Sequence, residues 1–300
     1  MPDLPMTPRP DLRRQMIDAG LLIETGIDGV VGRSAVFEDV LMRFDAVIRR
    51  WGIENGAETV HFPPVMNRAQ LETNGYLKSF PQLAVALHGF RCEGEGHHAP
   101  PYPEDLATGL MMVPAACYPI YPMVAARGPL PKGALFDIHS WCFRREPSAD
   151  APRLQSFRMH EYVRIGPPAE VIAFRESWIE AAQALYASLA LPFTLDVAND
   201  AFFGRTGRVL ASSQRERNLK FELLIPVTSD EAPTACCSFN YAEDRFTDVW
   251  RIAMADGSKA HCACVAFGME RTTLALFRHH GFDPARWPKG VRRMLYGEAG

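Results

Sequence analysis

The chain has 300 residues, of which 47% are hydrophobic and 22% charged, and its net charge is −3. This is the profile of an ordinary globular enzyme, not of a disordered, fibrous or small disulfide-stapled chain. The slight acidity gives no overall basic field of the kind that nucleic-acid binders display. Residues 1–14 are proline-rich and hold no apolar run, so no secretory leader is expected and the expected location is cytoplasmic. The seven cysteines, Cys92, Cys117, Cys142, Cys236, Cys237, Cys262 and Cys264, are then expected as reduced thiols or metal ligands.

In chain order, Val36, Phe37, Val40, Leu41, Phe44, Val47 and Ile48 recur at helical spacing. Gly52 and Gly56 follow, then a short strand, Thr59–Phe62, ending at Pro63-Pro64. A Gly-, His- and Pro-rich stretch, Gly89–Gly109, reads either as a surface excursion or as an active-site lid. The most apolar run, Leu110–Ala126, contains Pro114, Pro119 and Pro122, which excludes a membrane helix and suggests a buried strand and turn. Asp137–Arg145 and Phe157–Ile165 read as an antiparallel hairpin with a long connector. Pro167-Pro168 opens a helix whose apolar stripe is Val171, Phe174, Trp178 and Leu185. Strands follow at Lys220–Val227, Cys236–Phe239 and Ala260–Phe267, the last running into a helix, Met269–His280, stopped by Gly281. Hairpins without strand–helix alternation imply an α+β fold, an antiparallel sheet flanked by helices.

Three segments carry chemistry. In C-F-R-R-E, residues 142–146, Arg144 and Glu146 share a strand face. A planar, permanently charged guanidinium suits a phosphate, and the carboxylate can hold an amine or orient the arginine. A salt-bridged surface strand would read the same way. F-R-M-H-E-Y, residues 157–162, forms the second arm of the hairpin. In F-G-M-E-R, residues 267–271, Arg271 at a strand-to-helix junction can lie over an aromatic base, or simply form a surface pair with Glu270.

Together, and in this order, these segments resemble the sequence motifs of class II aminoacyl-tRNA synthetases, the seryl enzyme most of all. The helix from Val36 and the strand ending in Pro63-Pro64 look like motif 1, which forms the dimer interface in that family. C-F-R-R-E with F-R-M-H-E-Y looks like motif 2, and F-G-M-E-R like motif 3. The resemblance covers about residues 30–285 and implies a single class II synthetase-like catalytic domain over 1–300, with 1–30 as an N-terminal extension. It implies that Arg144 contacts the α-phosphate of ATP. Glu146, Arg153 and Leu154 would hold the adenine side, with Tyr162 and Arg271 on either face of the ring. Lys220 matches the seryl stretch leading to the sheet floor, and Ala235, Cys236 and Cys237 match the segment that lines the substrate. ATP is expected with Mg2+, although Thr234 stands where a metal-binding glutamate is usual, and Ala266 replaces the first glycine of motif 3.

The informative departure is P-A-A-C at 114–117, where the seryl enzyme has P-T-A-E. The likeness to zinc-dependent synthetases and to small bacterial homologues implies one Zn2+ per chain. Its ligands would be Cys117, Glu161 and Cys264, with Cys262 as a competing ligand and a fourth position open for the substrate amino group. Buried small hydrophobes would also account for these cysteines. Only about 35 residues precede motif 1 and 29 follow Arg271, so no tRNA-binding domain is expected. The pattern resembles the amino acid:carrier-protein ligases. That implies activation of glycine or alanine to the adenylate and transfer to the phosphopantetheine thiol of a holo carrier protein, by a homodimer with neither tRNA nor membrane as partner. A synthetase that borrows tRNA contacts from a partner and a non-catalytic synthetase-like regulator remain the alternatives.

Overall fold

The computed structural model describes residues 11–90, 105–200, 211–212 and 214–297. Cys92 and most of the Gly/His-rich stretch lie outside the described residues. Helix α1 (Leu12–Asp18), N-capped by Asp11, precedes the hairpin of β1 (Leu22–Ile27) and β2 (Val30–Arg33). Gly29, at φ +74° in the hairpin turn, lies where a Cβ would meet Arg153 O and Gln155 N at 3.2 Å. Glycine there lets the turn receive Gln155, whose backbone N–H donates to Gly29 O at 2.7 Å.

Helix α2 (Ala35–Glu54) starts at Ser34, whose Oγ accepts from Phe37 N, and of the stripe its spacing predicts it buries Phe37, Val40, Leu41, Phe44 and Ile48, with Val47 partly buried and Val36 exposed. β3 (Glu58–Val60), β4 (Val65–Asn67), α3 (Arg68–Thr73), α4 (Tyr76–Ser79), β5 (Ala86–Phe90) and β6 (Asp105–Met112) follow. The apolar run after Met112 is not all strand and turn. It closes in a helix, α5 (Ile120–Ala126), because Pro122 falls in the first turn, where no backbone N–H is needed.

β7 (Ala134–Phe143) and β8 (Ser156–Gly166) form the expected antiparallel hairpin, paired from Ala134↔Ile165 to Phe143↔Ser156. Strand β7 ends two residues earlier than its sequence suggests. After α6 (Pro168–Ser188) come β9 (Thr194–Val197), β10 (Lys220–Ile225), β11 (Thr234–Glu243), α7 (Arg245–Val249), β12 (His261–Gly268), α8 (Met269–His280) and α9 (Lys289–Tyr296). The main sheet has the order β3-β7-β8-β12-β11-β10-β9. All its pairs are antiparallel except β3–β7, so the sheet is mixed and not purely antiparallel. The link from β3 to β7 is long enough for a parallel return.

Strand alternation divides the molecule. One sheet face, with Tyr162, Val265, Phe267, Leu223 and Phe239, packs under α2, α6 and α8 in a core that includes Phe44, Trp178 and Phe277. The other face, with Phe136, Ile138, Val163 and Cys262, packs against α5 and β6, and farther along it opens into a cavity. No helix among the described residues is long and apolar enough to cross a membrane.

Candidate active site

The cavity measures about 390 Å³ and is lined from the open face of β8, β12, β11 and β10 and from the connector after β7. Of the residues singled out by sequence, Arg144, Glu146, Leu154, Lys220, Ala235, Cys236, Cys237, Cys117, Glu161, Cys264 and Arg271 all line it.

Two arginines line it. Beyond the end of β7, Arg144 is locked by Nε donating to Pro114 O at 3.0 Å and packs over Phe157, with its guanidinium carbon 5.3 Å from the ring centroid. Burial opposes its charge, but the surrounding acidic and polarizable groups outweigh it and raise its pKa. Arg271, in the first turn of α8, donates from Nε to Pro152 O (3.1 Å) and from Nη1 to Ala235 O (3.0 Å). Burial lowers its pKa, with Arg144 adding to the effect. Two part-buried guanidiniums beside one cavity favour a polyanion.

The cavity also holds Cys117, Glu161 and Cys264, whose ligand atoms all lie within 4.8 Å of one another. Cys117 precedes α5, Glu161 is on β8 and Cys264 on β12. Glu161 Oε1 accepts from Ala116 N at 2.8 Å, whereas its buried Oε2 has no partner of ordinary hydrogen-bond geometry, only the Cys117 thiol beside it. The hydrogen bond with Cys264, burial and the nearby Glu161 push the Cys117 thiol well up, and burial raises the Glu161 carboxyl. Two thiols and a carboxyl this close together, one with an orphaned oxygen, fit a divalent cation that would stabilise their charged forms. Asn240 Nδ2 donates to Cys264 Sγ at 3.5 Å. Cys262 stays outside this group, fully buried beside the Tyr121 hydroxyl at 3.8 Å.

Two expectations fail. Tyr162 is fully buried on the opposite sheet face, where its hydroxyl donates to Ile48 O (2.9 Å), accepts from Gly52 N (3.0 Å), and its ring stacks on Trp178. It cannot face a nucleotide in the cavity; Phe157, five residues earlier and of the other parity, lines it instead. The Arg153 side chain points outward, 62% exposed and 3.8 Å from Asp150, leaving Pro152 and Leu154 at the wall.

Sequence reasoning missed Phe157, Tyr118, Asn240 and the acidic partners of Lys220. Lys220 Nζ bonds Asp200 at 2.6 Å and Glu222 at 2.9 Å. Burial opposes its charge, but the two carboxylates outweigh it and raise its pKa, and Lys220 in turn holds Asp200 low against burial. The alternation of K-F-E-L was a signal for Glu222; nothing local marked Asp200, twenty residues away. A second donor group, Asp45, His139 and His160, lies on the helix-covered face. There His160 already bridges Asp45 and Asp137 at 2.8 Å each, and His139 reaches Asp45 at 3.2 Å, so the group is satisfied internally.

No family model matches the chain. Among solved structures, it is similar to the seryl-tRNA synthetase of M. kandleri in complex with A. aeolicus tRNASec (TM-score 0.79, 19% identity, 99% of this chain). It is also similar to that of Pyrococcus horikoshii complexed with ATP (TM-score 0.71, 16% identity, 96% of this chain). The chain spans 63% of the length of each, and at these identities the likeness shows the fold, a class II synthetase core. A type-2 serine–tRNA ligase of Methanopyrus kandleri is 28% identical over 61% of this chain and 37% of its own length. Two proteins of Bradyrhizobium diazoefficiens are far more similar. Amino acid:acyl-carrier-protein ligase 2 is 51% identical over 96% of this chain and 89% of its own length. Ligase 1 of the same series is 50% identical over 90% of this chain and 86% of its own. At that identity and coverage, the chain belongs to the amino acid:acyl-carrier-protein ligase family.

Proposed function

We propose that the protein activates a small amino acid, glycine or alanine, with ATP and passes it to the phosphopantetheine thiol of a holo carrier protein, acting as one catalytic domain. The observation that carries this reading is one cavity lined both by two guanidiniums and by a Cys/Glu/Cys donor set. It has room for a polyphosphate and an amine side by side.

In the first step a carboxylate oxygen of the amino acid attacks the α-phosphorus, the bond to diphosphate breaks, and the aminoacyl adenylate forms. Arg144 draws in the α-phosphate and stabilises its growing charge. Arg271 and Phe157 bound the slot for adenine, and Glu146 orients the nucleotide beside them. Cys117, Glu161 and Cys264 would hold Zn2+, which when bound supplies a Lewis-acidic anchor for the substrate amino group. Most of the acceleration is then positioning and charge stabilisation by fixed groups. In the second step the carrier thiol sulfur attacks the carbonyl carbon, AMP leaves with the bonding electrons, and the thiol proton goes to solvent. The cysteines need form no covalent intermediate.

Amino-acid-dependent pyrophosphate exchange, run over the standard amino acids without tRNA, tests the first step. Transfer of labelled amino acid to holo carrier, apo carrier and bulk tRNA tests the second. Exchange with glycine or alanine and labelling of holo carrier alone is expected. Labelled tRNA, or equal labelling of apo and holo carrier, would overturn the acceptor.

A further inference from the structure

The adenine slot proposed above is bounded by Phe157 on β8 and Arg271 on α8. The Arg271 guanidinium is held by Pro152 O and Ala235 O, and what ties the first turn of α8 to β8 is the pair beside them in sequence, Arg158 and Glu270. β12 pairs with β8 only as far as Gly268↔Met159, because at Met269 the chain turns into helix α8. The N–H of Arg158 would therefore be left without a strand partner on that edge, buried, and costly. Glu270, 1% exposed, takes the place of the missing strand: its Oε2 accepts from Arg158 N at 2.7 Å and its Oε1 from Arg158 Nε at 2.9 Å. Arg33 Nη2 approaches the same Oε1 at 3.3 Å.

The contact continues outward. Arg158 Nη1 and Nη2 donate to the two oxygens of Glu38, at 2.7 and 2.8 Å, a bidentate pair with the first turn of α2. Trp141 flanks both arginines, its ring centroid 4.7 Å from the Arg158 guanidinium carbon and 5.1 Å from that of Arg33. Two carboxylates and two guanidiniums balance, so the group is neutral, with Glu270 buried and Glu38 at the surface end.

We propose that Glu270 and Arg158 are positioning residues that set the width of the nucleotide-base slot, and that Glu38 anchors this clamp to helix α2. The inference rests on the adenine reading of the Phe157–Arg271 gap and adds what fixes it. A strand on one side and a helix on the other have no ladder between them at this point; the Glu270 carboxylate is the crosslink. Loosening it lets the first turn of α8, which carries Arg271, shift relative to Phe157, while Arg144 stays anchored on Pro114 O at the phosphate side.

The test separates base from phosphate. In the exchange assay, inhibition constants are measured for adenosine, which has a base and no phosphate, and for inorganic tripolyphosphate, which is the reverse. Glu270→Gln keeps an acceptor but loses the charge. It is expected to weaken adenosine about tenfold or more, the range for a charge-assisted hydrogen bond, with tripolyphosphate unchanged. Glu38→Gln, at the partly exposed end where folding tolerates change, is expected to weaken adenosine by a smaller factor in the same direction, about threefold. A merely structural loss would lower both inhibitors' binding or the melting temperature alone. Unchanged adenosine inhibition in a folded Glu270→Gln protein overturns the inference. If that variant does not fold, unchanged adenosine inhibition in Glu38→Gln does so. Should the wild type show no exchange with any amino acid, the proposed function fails, and calorimetric titration of adenosine into the same variants still decides the clamp.

Discussion

Glu161 and Tyr162 are neighbours on β8, and the pleat sends their side chains to opposite faces of the sheet. A site that needs Glu161 therefore cannot also use Tyr162, and counting parity along F-R-M-H-E-Y selects Phe157, Met159 and Glu161. That parity was legible in the sequence. The outward turn of Arg153 was not, since it lies in a connector where no period constrains direction. The Cys117/Glu161/Cys264 cluster was legible through the P-A-A-C departure and the strand position of Glu161, and the three side chains do converge. Removal of one thiol should be decisive: Cys117→Ala is expected to lose most of the bound zinc, read by metal analysis of purified protein. Full zinc in that variant would exclude Cys117 as a ligand. Arg144→Ala should leave a folded protein that binds zinc but forms adenylate about 10²–10³-fold more slowly. Losing a preorganised charge donor costs about 2.7–4 kcal/mol in the transition state. Near-normal exchange rates in that variant would remove Arg144 from the chemistry.

The elements with strong periodicity were the legible ones. α8 falls where its apolar stripe and stop signal put it, Gly281 at φ +88° included, and α2 follows most of its stripe but runs on through Gly52 to Glu54. α5 was hidden by its prolines, and the parallel pairing of β3 with β7 by distance, since nothing in a three-residue strand states its direction. What joins α2 to the sheet was also invisible: Asp45 of α2 meets His139 of β7 and His160 of β8 under the helix. The close approach nearby needs Gly52, where a Cβ would lie 2.6 Å from the Tyr162 hydroxyl. Burial pushes the Asp45 carboxyl up, but hydrogen bonds from the two histidines outweigh it and hold the group well below the usual carboxylate range. Its folded pKa is depressed. Its contribution to stability is thus present above the unfolded value, about 3.9, and is lost as pH falls through the lower folded value. Asp45→Asn should lower stability at neutral pH by about 3–5 kcal/mol, as breaking a buried pair does. It should also flatten the decline of the melting temperature below about pH 4. Melting curves for variant and wild type that run parallel across this acid range would show that Asp45 carries none of it.

At the scale of the whole molecule, the sheet-and-helix core accounts for the site but leaves apolar surface uncovered. Met42 and Ile53 project from the outer side of α2 at 54% and 75% exposure. Val36 at the start of the helix and Ile23 and Ile27 on β1 are exposed at 46%, 55% and 56%. Scattered apolar residues on a surface mean little, but two on one helix face and two on one hairpin strand are a candidate interface. We propose a second copy of the chain as the occupant, on the resemblance of α2 to motif 1. The expected result is a homodimer by light scattering at micromolar concentration. An interface of roughly 1,200–2,000 Å² is enough for such a dimer, and obligate ones run larger and more apolar. Met42→Glu combined with Ile53→Lys would place charge on the outer face of α2 without touching its buried stripe. That pair is expected to shift the protein towards monomer while the isolated chain keeps its helical signal. A wild-type protein that scatters as a monomer at these concentrations would contradict the dimer. A double variant that stays fully dimeric would move the interface away from this face of α2.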